Sequence, residues 1–105
     1  MMLTFPQAVE LAETWVRVVT ADQCVILKEK TVKRPYGWVF FYDSRRYRAS
    51  GVSQDLVAGN APILVDRMNV EIRVIGTAHP LETYLVQYEA TIPVTRMQTS
   101  IPKDP

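Results

Sequence analysis

A strand that is apolar on both faces has to be covered on both faces, and residues 38–43, WVFFYD, form such a strand. In extended backbone Trp38, Phe40 and Tyr42 point to one side, while Val39 and Phe41 point to the other. The stretch is therefore first a central core strand. Pro35 and Gly37 in KRPYG precede it and predict a turn, because Pro35 cannot donate to a ladder and Gly37 can take a positive φ. Residues 24–32, CVILKEKTV, supply the strand before that turn, apolar at first and charged later.

The remaining elements arrange themselves around this strand. Thr4 and Gln7 have the spacing of a capping box, with Pro6 in the first turn, and open a helix. Ala8, Leu11, Ala12, Trp15, Val18 and Val19 recur at helical spacing and predict its packed face, centred on Leu11 and Trp15. Residues 44–60 read as a connection. Residues 63–66 and 70–75 predict a hairpin around DRMN, in which Asn69 is the candidate for a left-handed conformation. A second helix starts near Pro80, with Leu81, Tyr84, Leu85 and Tyr88 at i, i+3, i+4 and i+7. The order is helix, two strands, loop, two strands, helix. Without crossover helices between strands, the class is α+β: a small antiparallel sheet of about four strands with an N-terminal and a C-terminal helix packed on it. Residues 1–92 form the expected domain, and 93–105, rich in proline, an extended or mobile tail.

Composition narrows function mainly by exclusion. Twelve basic and eleven acidic residues leave a net charge of +1, which gives no bulk attraction to nucleic acid or membrane. The N-terminus has no secretory pattern, and no apolar run approaches a membrane span, so a cytoplasmic location is expected. One cysteine, Cys24, and one histidine, His79, are too few for a metal site. Four isolated glycines make no phosphate-binding loop. The expectation is no catalytic residue, no metal and no cofactor. Cys24 reads as a buried thiol and His79 as a capping or surface residue.

The residues best suited to a partner are Arg45, Arg46, Tyr47 and Arg48, where the central strand gives way to the long connection, with Asp55 secondary. Arginine and tyrosine are favoured at binding hot spots, and loops carried by a rigid sheet commonly hold specificity. Trp38, Tyr42 and Tyr84 could alternatively line a small-ligand pocket.

Three ordered blocks carry a family resemblance: YGWVFFYDSRRY, LVAGNAPILVDR and GTAHPLETYLVQYE. They resemble the immunity protein 35, or YrhB-like, family. Gly37, Trp38, Phe40, Tyr42, Gly59, Asn60, Pro62, Gly76, Pro80 and Tyr84 stand at motif positions, as structural residues. The chain departs from the pattern in lacking glycine in the hairpin turn after Asp66. The resemblance implies a bacterial immunity protein that neutralises a cognate toxin by stoichiometric binding, without cofactor, as a monomer or weak homodimer. The alternative it implies is a small heat-stable chaperone that holds unfolded clients.

Overall fold

A computed structural model of the chain describes residues 2–46 and 61–97. Helix α1 (Phe5–Val19) opens with the expected box: Gln7 N–H donates to Thr4 Oγ1 at 3.4 Å, and Thr4 N–H to Gln7 Oε1 at 2.9 Å. Strand β1 (Cys24–Ile26) follows, then a 3-10 turn (Lys28–Lys30), β2 (Val32–Arg34), β3 (Gly37–Phe40), β4 (Tyr42–Ser44), β5 (Ile63–Asp66), β6 (Ile72–Val74) and helix α2 (Leu81–Glu89). A last helical turn, α3, spans Val94–Met97. The α+β class is as expected, with the two long helices on opposite faces of the sheet.

The single strands expected over residues 24–32 and 38–43 are each divided, the second at Phe41 into β3 of the four-stranded sheet and β4 of a two-stranded one. β1 pairs with β4 (Ile26 opposite Tyr42), and β2 with β3 (Val32 opposite Val39). Residues 27–31 thus stand opposite residues 40–41 only, and the surplus is taken up by the exposed Lys28–Lys30 turn. Three charged residues in a row have no buried face to offer a strand, so they loop out, while Leu27 N–H stays bonded to Phe41 C=O at 2.8 Å.

The main sheet is antiparallel, in the order β2-β3-β5-β6. Its central strands β3 and β5 are buried along their whole lengths. One face carries Trp38, Phe40, Ile63 and Val65 against Ala8, Val9, Ala12 and Val16 of α1. The other carries Tyr36, Val39 and Leu64 against Leu85 and Tyr88 of α2. Ile92 and Met97 also pack on this second cluster, so packing continues past residue 92.

Gly37 lets β3 and β5 approach. Its φ is +154°, and a Cβ built there lies 2.0 Å from the Val65 carbonyl oxygen. Among the turns, the left-handed position of the β5–β6 hairpin falls on Val70 (φ 61°), not on Asn69 as the sequence suggested. Asn69 serves instead as an acceptor, its Oδ1 taking Glu71 N–H at 2.9 Å. Asp66 Oδ1 takes the N–H groups of Met68 (2.8 Å) and Asn69 (3.2 Å). With the turn held by side chains in this way, the positive φ moves one residue on. It lands on a β-branched residue that pays a steric penalty there.

Candidate binding surfaces

The aromatic stretch is core. Trp38 and Phe40 are buried, and Tyr42 is half-buried with its ring 6.1 Å from that of Trp15. Tyr84 lies on the other side of the sheet, by α2. Trp38, Tyr42 and Tyr84 therefore do not line one pocket. The motif residues on the α2 side are structural: Pro62 C=O accepts Ile75 N–H at 2.8 Å, and Pro80 precedes the first turn of α2. A Cβ on Gly76 would stand 2.6 Å from the Tyr84 hydroxyl, so glycine makes room for that ring. The Tyr84 hydroxyl in turn accepts His79 N–H at 3.2 Å. His79 is exposed beside that ring and does not cap α2.

Arg45 leaves β4 in a fixed direction. Its backbone N–H donates to Gln23 C=O at 2.9 Å. Its guanidinium donates to Asp22 C=O (2.8 Å) and Asp22 Oδ1 (2.6 Å), just past the end of α1. Asp22 meets it from a left-handed backbone, φ 64°. Arg46 is exposed beside it. Tyr47, Arg48, Asp55, Gly59 and Asn60 lie outside the described residues. Below Arg45 the Cys24 thiol is buried, and that burial, the largest influence, pushes its pKa up; the group is a protonated core thiol.

A buried polar cluster fastens α2 to the sheet. Tyr88 donates to Asp66 Oδ2 at 2.5 Å, and Tyr36 donates to Glu89 Oε2 at 2.8 Å, with the two rings 5.4 Å apart. Burial, then the neighbouring carboxylates, raises both phenols well above the ordinary tyrosine range. Arg73 of β6 lies over the Tyr88 ring, 5.0 Å from its centre, and its Nε donates to Glu71 Oε1 at 2.6 Å.

An apolar groove of about 680 Å³ runs between α1 and the β6 edge. Leu3, Leu11, Trp15, Val18, Val70 and Ile72 supply its apolar lining. The groove arises because α1 packs chiefly toward β1 and β5. Along the row Phe40, Ile63, Val74 the exposure rises from 0% through 0% to 60%. The sheet emerges from under the helix at β6. The packed face is centred differently from the expected Leu11 and Trp15: the buried stripe is Ala8, Val9, Ala12 and Val16, Trp15 packs half-buried at its margin, Leu11 is half-buried along the groove, and Val18 and Val19 stay exposed. The signal was present in the sequence: an apolar arc that runs from Ala8 and Ala12 out to Leu11 and Val18 is wider than one sheet contact covers.

Among the described residues no three His, Cys, Asp or Glu side chains gather to hold a metal, and no helix is long and apolar enough to cross a membrane. The family model "Immunity protein 35" matches residues 6–88. The uncharacterized protein YrhB of Escherichia coli (strain K12) is 43% identical over 53 residues, which is 50% of this chain and 56% of that protein. The alignment thus spans little more than half the length of this curated relative. No solved structure matches the chain significantly. The family match runs from the first turn of α1 to Tyr88 and takes in both core clusters and the Gly37 crossing, so the chain belongs to the immunity protein 35 family.

Proposed function

We propose that this chain is a bacterial immunity protein that binds a cognate toxin domain one-to-one in the cytoplasm and blocks it without turnover. The family match over residues 6–88 carries this reading. A protonated, buried Cys24 and an exposed His79 packed on Tyr84 support action by binding. The toxin-facing surface begins at Arg45 and Arg46 and continues into Tyr47, Arg48 and Asp55. Its support is the anchoring of Arg45 by Asp22, which fixes the exit from β4 before any partner arrives.

Calorimetric titration against the toxin domain encoded beside this chain tests the reading. One-to-one binding is expected. Arg46→Ala or Tyr47→Ala should weaken it by about 2 kcal/mol or more, roughly 30-fold, while thermal unfolding shifts by less than about 1 kcal/mol. Wild-type affinity in both variants removes this surface from the interface. Failure of the wild-type protein to bind, together with suppression of aggregation of unrelated unfolded proteins, replaces the inhibitor by a holdase.

A further inference from the structure

Strand β6 ends the four-stranded sheet, and among the described residues no strand pairs with its outer side. Asp66 N–H donates to Glu71 C=O (2.9 Å) and Ile75 N–H to Pro62 C=O (2.8 Å). The Glu71 carbonyl, Arg73 and the Ile75 N–H therefore turn inward to β5, and Ile72 and Val74 turn their backbone groups outward. Such an edge is a template for another strand. On its α1 face stand Val70 (48% exposed), the half-buried Ile72 and Val74 (60% exposed), and the groove beside them is walled by Leu11 and Val18. Val70 holds a left-handed backbone that glycine or asparagine would take without strain, yet presents an isopropyl group to this groove.

We propose that the β6 edge and its groove form a twofold interface between two copies of this chain, centred on Ile72. The charge pattern selects both occupant and register. An antiparallel copy with Ile72 opposite Ile72 sets Glu71 opposite the partner's Arg73, twice by symmetry, and Val70 opposite the partner's Val74. Moving the axis one residue to Arg73 would oppose two arginines. The other edge, β2, carries Lys33 and Arg34 and is followed by Pro35, which oppose self-pairing. The Glu71–Arg73 contact within each copy becomes part of a four-charge ladder on the α2 face, while the valines and Ile72 close against one another on the α1 face. Two copies then share one eight-stranded sheet, with the two grooves side by side on its α1 face. Arg45 lies on the opposite flank of α1, with Glu13 and Arg17, so the dimer leaves both Arg45 surfaces uncovered.

Sedimentation of the full chain across a concentration series tests this, with E71R, R73E, V74K and an equimolar mixture of the first two. The wild type is expected to pass from monomer to dimer. E71R and R73E each set like charges opposite in the self-pair and should weaken dimerisation at least about tenfold; V74K should do the same. Mixing E71R with R73E restores opposite charges at cross-strand positions 71 and 73 between unlike copies, so the mixture should dimerise more strongly than either component alone. Because each single variant has already lost its internal Glu71–Arg73 contact, recovery on mixing reports only the contact between copies. A wild type that stays monomeric at all concentrations overturns the proposal, as does a dimer of equal strength in V74K or a mixture that stays monomeric.

Discussion

At the residue scale the geometry of single backbone positions sets what this fold tolerates. Gly37 has no substitute: alanine there meets the Val65 carbonyl and an unfavourable φ together. Gly37→Ala should cost about 3 kcal/mol or more, measured as the loss of unfolding free energy in urea. Val70 is the converse case. Its φ of 61° strains a β-branched side chain that is half exposed, so Val70→Asn should raise monomer stability by about 1 kcal/mol. Melting at a concentration low enough to keep the chain monomeric reads that gain; an unchanged or lower melting temperature refutes strain at this position. If β6 is an interface, the same variant should dimerise more weakly, because stability and surface then place opposite demands on residue 70.

At the element scale the β5–β6 hairpin is organised by Asp66 rather than by its turn residues. A buried carboxylate accepts Met68 N–H, Asn69 N–H and the Tyr88 hydroxyl, and so ties hairpin to helix. Asp66→Ala leaves the buried Tyr88 hydroxyl without this acceptor and unties the two half-buried turn amides, and should cost about 2–4 kcal/mol. Tyr88→Phe should cost less in the same denaturant titration, since Asp66 keeps its backbone donors. Equal costs would mean that the carboxylate matters only through the tyrosine. This hairpin also shows what sequence reasoning can reach. Alternation along residues 70–75 located the outer hairpin strand, whose paired part is Ile72–Val74, with 63–66 as its partner, and the doubly apolar stretch 38–43 revealed a sheet covered on both faces although it divides into β3 and β4. The box at Thr4 and Gln7 and the stripe Leu81, Tyr84, Leu85, Tyr88 located the helices. What escaped depends on contacts distant in sequence. The turn in LKEKT loops out because β4 continues past it in register with β1. The positive φ falls on Val70 because Asp66 and Asn69 spend their side chains on the neighbouring amides. Small residues Ala8 and Ala12 take the centre of the contact because they allow the helix to lie close, and the larger Trp15 packs at its margin. The proposed partner surface was legible only as residue types; of it the structure describes Arg45, bonded to Asp22, and the exposed Arg46.

At the scale of the whole molecule α2 is held to the sheet by two phenol–carboxylate bonds running in opposite directions. Tyr36, from the β2–β3 turn, donates to Glu89 on the helix; Tyr88, on the helix, donates to Asp66 at the end of β5. Both bonds require the neutral phenol, and burial against carboxylates raises both pKa values in the folded state. In the unfolded chain the same groups titrate near pH 10. The folded state therefore binds more protons than the unfolded state above that pH. The stability these groups contribute is fully present below about pH 10 and is lost as pH rises toward their folded values. Each group adds about 1.4 kcal/mol per pH unit to that slope, roughly 2.7 kcal/mol per unit for the pair. Alkaline unfolding should thus be cooperative, with α2 released from the sheet as the tyrosines ionise. Absorbance of tyrosinate and far-ultraviolet circular dichroism, followed together from pH 8 upward, are expected to show these two phenols ionising only with loss of helix. Tyr36→Phe and Tyr88→Phe should each remove about half of the excess slope. If both tyrosines ionise while the helix signal stays intact, the two bonds do not hold α2 in place.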